Sequence, residues 1–368
     1  AMTAQQNAAA NQDYSVLGTH GHTALLGIAG IGRGWRADSE TIVDLEDGDD
    51  TAAADNSFWT SNAFQRNLIQ FLHWFVEHFS ITVDIAHGIC EILKAGFTEK
   101  SGPFVLPPRD VTLLLTRLPL NAVGAADVVM STASAFLASY QANASDVTEE
   151  AGLLIIHVYQ AFVWMMSNPN QNDPEISSSG LGFLTRLLPK YQSVLFSLTG
   201  PPPPHLGVAT SQPAPPPVLQ TILEYAIQTL RGPEPLPLRA AAQFWTAVLN
   251  LPPNSSPTVS EAVSQCLPAL CTVLMTQLSG GCARSDISHL TDVLKKILFK
   301  HQGAARPHLA NALASLPGPR ASSQDDNPDK DKERFLEMLL KARGTTATND
   351  IVRQYWIKCR GTGFAYTS

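Results

Sequence analysis

The chain has 368 residues, of which 44% are apolar and 15% charged, with a formal net charge of −7. That apolar share is too high for a disordered chain, and the charge content, well under the roughly 25% of an average domain, is too low for a coiled coil. Length suggests two globular domains or one extended repeat array. Leu and Ala dominate and strand-like alternation is hard to find, so composition points to an all-helical protein.

The charge is uneven. Residues 1–170 carry 18 acidic and 7 basic side chains, whereas residues 171–368 carry 14 and 18. This asymmetry suits charged protein partners. It does not supply the dense basic surface that nucleic acid requires. The five cysteines, Cys90, Cys266, Cys271, Cys282 and Cys359, are odd in number and sparse, which reads as buried thiols in a reducing compartment.

In chain order, residues 1–13 read as a tag-like or disordered leader and 14–36 as a helical segment. An acidic loop follows at 37–56, with the run DLEDGDD and no apolar period. Helices are then expected over 57–79, 82–97, 109–119, 125–141 and 145–166, the last with a capping-type Asp146/Glu149 pair. The stretch 151–166 is strongly apolar, yet is expected to be too short to cross a bilayer, and it holds His157 and Gln160. A soluble, intracellular protein without membrane contact is the expectation. A helix over 180–198 should be interrupted at Pro189.

The proline-rich stretch 200–217 reads as a loop. Helices resume over 216–230, 236–251 and 256–278, with a kink at Pro268. They continue over 285–301 and over 306–317, which Pro307 should open. A polar loop at 318–330 precedes helices over 330–343 and 348–361. About fourteen helices in antiparallel pairs give the expected fold: all-α, an α-solenoid of HEAT-type helix pairs, whose unit spans ~40–47 residues. The repeats fall into 57–199 and 218–368, the latter ending in a capping helix. A compact bundle is the rival, but local pairing favours a stack. LTRLP at 115–119 recurs as LTRLLP at 184–189, either as corresponding helix ends in separate repeats or by chance.

Candidate chemistry is thin. In GIAGIGRGW (27–35), Gly30, Gly32 and Gly34 have the wrong spacing for a dinucleotide fingerprint, and no strand precedes them. The acidic run fails as a calcium loop because the sixth residue from Asp44 is Asp49 and the twelfth is Asp55. It reads as a solvated loop or as a contact for a basic partner through Asp44, Glu46, Asp47, Asp49 and Asp50. Cys266, Cys271, Cys282 and His289 lack the knuckle spacing of structural zinc. His157 reads as a core or groove histidine, and His20 and His22 lack a third ligand. The proline tract reads as a loop before it reads as a polyproline ligand. Arg353, Lys358 and Arg360 lie near the last helix, either on a solvated face or as partner contacts. Neither cofactor, metal nor catalytic group is expected, and the protein is read as a non-enzyme.

The helix pair in DVLKKILFKHQGAARPHLANALASLP (292–317), the helix RFLEMLLKAR (334–343) and the tail DIVRQYWIKCRGTGFAYTS (350–368) together resemble the C-terminal part of the importin-13 and transportin-3 branch of karyopherin-β receptors. LRAAAQFWTAVLNL (238–251) resembles a preceding repeat. The resemblance is good over 218–368 and thinner over 57–200. It implies a HEAT-repeat nuclear transport receptor that carries protein cargo, here partly basic, through the nuclear pore under Ran control. It also implies nucleoporin contacts, shuttling between nucleus and cytoplasm, and RanGTP binding mainly through N-terminal repeats expected to be absent here. The loops 37–56 and 200–217 look like lineage-specific insertions. The alternative is a helical-repeat scaffold subunit of a larger complex with no transport role.

Overall fold

In the computed structural model, residues 14–34, 62–78, 81–98, 105–121, 124–171, 173–199, 218–252, 257–319, 328–342 and 344–360 are described. The acidic stretch 37–56 and the proline-rich stretch 200–217 lie outside them. Among the described residues there are fourteen α-helices and no sheet. Packing divides the chain into two compact units, Ala1–Ala161 and Phe162–Ser368.

The first unit contains α1 (Tyr14–Gly34), α2 (Asn62–His78), α3 (Val83–Thr98), α4 (Pro108–Arg117), α5 (Ala125–Ser139) and most of α6 (Thr148–Ser167). Here α1 packs on α3 and α3 on α5, while α2 packs on α4, so alternate helices form two rows. Helix α3 supplies the shared face: Ile85, Ile89, Ile92 and Leu93 are buried at spacings of three and four, which puts them on one stripe. Gly88 lets α1 come close, since a Cβ there would lie 2.8 Å from Leu25 Cβ. Ion pairs tie the elements at the rim. Arg33 of α1 meets Glu91 of α3, and Arg117 of α4 meets Glu77 of α2 at 2.6 Å.

The second unit contains the end of α6, then α7 (Pro174–Ser197), α8 (Val218–Arg231), α9 (Pro235–Asn250), α10 (Pro257–Thr276), α11 (Ile287–Lys300), α12 (Gln302–Ser315), α13 (Pro328–Lys341) and α14 (Thr345–Arg360). Helices α7, α9 and α11 form one row and α8, α10 and α12 the other. Helix α13 packs on α12, and α14 packs on both α11 and α13. Contacts therefore run between sequence neighbours and next-but-one neighbours, which is how a solenoid buries its core. In α9 the run Ala240, Ala241 and Ala242 keeps the backbone close to its neighbours, and Phe244 and Trp245 fill the space between rows. Full burial of such a side chain contributes roughly 1.5–3 kcal/mol.

The all-α solenoid read from the sequence is the fold observed. Several local expectations need correction. Helix α7 begins at Pro174, because Asp173 caps it by accepting from the Glu175 N–H at 2.8 Å. It runs through Pro189, and the irregularity falls at Tyr191 (φ −114°, ψ 21°). Helix α10 runs through Pro268, and its geometry changes only at Ser279 and Gly280, in a π-type turn at 277–281. Pro307 lies inside α12, which starts at Gln302. In these helices, burial of the apolar face on neighbours outweighs the backbone hydrogen bond that each proline removes.

LTRLP closes α4 whereas LTRLLP sits within α7, so the two are not corresponding helix ends. The segment 142–167 is helical over 26 residues, long and apolar enough to cross a membrane, as is 259–281. The expectation that the first is too short is corrected. Its Leu154, Ile155, Val158 and Phe162 are spent on the protein core.

Candidate binding surface at the C-terminal helices

The residues singled out near the C-terminus are brought together by α14. Val352, Tyr355 and Trp356 are buried, so the intervening Arg353 faces outward. The buried side is fixed by aromatic packing and hydrogen bonds. Phe335 of α13 stacks on Tyr355 with ring centroids 3.8 Å apart. Trp356 Nε1 donates to the Cys282 carbonyl at 3.2 Å. The π-type turn is held from the other side, where Gln277 Nε2 donates to the Leu230 carbonyl at 2.9 Å.

The three basic residues expected here have different fates. Arg360 Nε donates to the Gly280 carbonyl at 2.8 Å, and its guanidinium lies 5.3 Å from the Trp356 ring centroid. It secures α14 to the turn, whose Gly280 sits at φ 104°. Lys358 Nζ pairs with Asp331 of α13 at 3.2 Å. Arg353 lines an open groove of about 300 Å³ together with Arg284, Ile287, Ser288 and Asn349. Sequence reading missed Arg284, Ile287, Ser288 and Asn349 as companions of Arg353. No local motif joins them, because the packing of α14 on α11 alone makes them neighbours. The acidic candidates Asp44, Glu46, Asp47, Asp49 and Asp50 lie outside the described residues.

The remaining candidates sit in helices or in the core. Gly27 and Gly30 lie within α1, and a Cβ would meet nothing within 4 Å at either. These glycines are therefore helical, not folded around a phosphate. Burial pushes the thiols of Cys90, Cys266 and Cys282 up to about 11 and that of Cys271 to about 12. That is the opposite of the shift a reactive or metal-binding thiolate needs. Cys359 is also raised, to about 11, chiefly by burial. Burial lowers the pKa of His157, against a hydrogen bond with the Leu118 backbone, and its Nε2 has no partner. Among the described residues no three His, Cys, Asp or Glu side chains are grouped to hold a metal.

Residues 230–302, from the end of α8 into α12, match the family model described as Importin 13 repeat. A solved structure titled "Importin13 cytosolic state" superposes with a TM-score of 0.62 at 15% identity, over 96% of this chain and 38% of that one. At that identity the likeness speaks for the fold, and the chain spans well under half the length of the structure it resembles. No curated protein matches the chain significantly. The resemblance drawn from the sequence to the importin-13 branch of karyopherin-β is thus supported by a repeat match and by a shared fold.

Proposed function

From the match of residues 230–302 to the Importin 13 repeat model, we propose that this chain is the C-terminal HEAT-repeat region of a nuclear transport receptor. It binds protein cargo for Ran-dependent passage through the nuclear pore, shuttling between nucleus and cytoplasm. The observation that carries this reading is the repeat match set within rows of helices that share the importin-13 fold. Stacked helix pairs expose one helix of each pair along an extended face, which suits the grip of a folded partner. The excess of acidic side chains in residues 1–170 favours basic cargo and speeds its encounter. In this reading Asp44, Glu46, Asp47, Asp49 and Asp50 contribute to that attraction. RanGTP acts mainly through repeats outside this chain, nucleoporins are further partners, and the function needs neither cofactor nor catalytic residue.

The test is capture of basic proteins from a nuclear extract. The bait is the chain alone, or the chain joined to the N-terminal repeats of an importin-13-type receptor, with and without RanGTP. Cargo that is bound and then released or recruited by RanGTP is the expected result. Failure of both baits to bind cargo or respond to RanGTP overturns the proposal. Stoichiometric partners indifferent to RanGTP would support the scaffold reading instead.

A further inference from the structure

The groove between the N-terminal end of α11 and α14 combines several features of an anion-binding peptide site. Arg284 and Arg353 both line it, both are exposed, and neither has an ion-pair partner among the described residues. Asp286, two residues from Arg284, is buried and accepts from Arg239 Nε at 2.6 Å. For the same reason Asp286 makes no side-chain cap on α11, although it stands at the N-cap position. Ser288, in the first turn of α11, adds a hydroxyl to the lining, and Ile287 adds an apolar floor. Asn349 also lines the groove.

We propose that this groove binds an acidic, extended segment of a partner protein. An Asp or Glu carboxylate of the segment accepts from the Arg284 and Arg353 guanidiniums and from Ser288. Such charge-assisted, often bidentate bonds are the strong class. A neighbouring aliphatic side chain of the segment rests against Ile287. Charge complementarity selects an acidic occupant over the basic cargo suggested for the acidic half of the chain. The apolar lining at Ile287 favours a peptide over a free anion. The site thus goes beyond the transport reading and does not depend on it.

The groove adjoining it makes a useful contrast. About 170 Å³ lies between α13 and α14, lined in part by Phe335, Met338 and Ile351, but there Lys358 is already paired with Asp331. That leaves Arg334 as the one lining cation there outside an ion pair among the described residues, against two in the first groove.

The test is fluorescence anisotropy of a capped, labelled peptide in which Glu alternates with Leu, titrated with the 368-residue chain. Binding is expected to weaken roughly tenfold for Arg284→Gln and for Arg353→Gln, and further in the double variant. It should also weaken with added salt. Because both arginines are exposed and outside any ion pair among the described residues, thermal midpoints should be unchanged, which separates lost binding from lost fold. Lys358→Gln, in the adjoining groove, should leave affinity as it was. Any one of three results overturns the proposal: no binding of the Glu-Leu peptide, equal binding of a Lys-Leu peptide, or binding that Lys358→Gln reduces and the double arginine variant does not. Displacement of the peptide by inorganic phosphate at equimolar concentration reduces the site to a simple anion site and overturns the peptide assignment.

Discussion

At the residue scale, His157 shows how burial sets chemistry. Its imidazole is held below the ordinary value of 6.5, mainly by burial, and a hydrogen bond with the Leu118 backbone opposes that only in part. The unfolded chain therefore takes up a proton near pH 6.5 that the folded chain resists. Stability contributed by this neutral histidine is complete above that pH and declines as pH falls below it. Burial also lowers His73 and His301, so they act in the same direction. Replacing His157 with Gln should flatten part of the decline below pH 6.5, read as the urea midpoint against pH. A midpoint profile identical to that of the parent chain would show that His157 is not a source of the decline. The sequence told that this residue belonged to the core or a groove, because it stands between Ile156 and Val158 on an apolar helix. Its partner Leu118 was invisible there, being on a different element.

At the scale of elements, the arginine–aspartate link between α9 and α11 is the clearest structural ion pair. The Asp286 side chain is only 3% exposed and Arg239 lies 2.6 Å away. Removing the arginine leaves a buried carboxylate with little beyond the Ser285 hydroxyl, at 3.3 Å. Arg239→Ala should cost on the order of 3–5 kcal/mol, and the double variant Arg239→Ala/Asp286→Leu distinctly less, because no charge is then stranded. Denaturant titration of the two single variants and the double variant measures this. Additive losses would mean that the pair is not coupled. Helix existence was legible in these elements because α8, α9 and α11 bury residues at spacings of three and four. Proline positions misled, since a helix-breaking residue acts locally and the packed face runs the whole length of the helix. Pro268 and Pro307 are tolerated inside α10 and α12 for that reason.

At the scale of the whole molecule, each unit is held by neighbour-to-neighbour burial, so its end elements must close an apolar face. In the second unit α13 and α14 do this, with Phe335, Leu339, Val352, Tyr355 and Trp356 buried against the rest. Removing residues 328–360 should expose that face and shift the protein toward aggregates in size-exclusion chromatography, whereas Lys358→Gln should not. A truncated chain that elutes unchanged would assign the closing role elsewhere.

The sequence by itself determined the all-helical class, the order of the helices and the family resemblance. Periodicity, composition and the tail near residues 350–360 are properties of neighbouring residues, and neighbours are what a linear reading compares. It also told that Arg353, Lys358 and Arg360 cluster around one helix. Only the tertiary structure decided that Arg360 is bound to the Gly280 carbonyl, that Lys358 is paired with Asp331 and that Arg353 and Arg284 line one open groove. Those outcomes depend on which distant helix α14 packs against, and a side chain's partner is fixed by distance in space, which chain position does not encode.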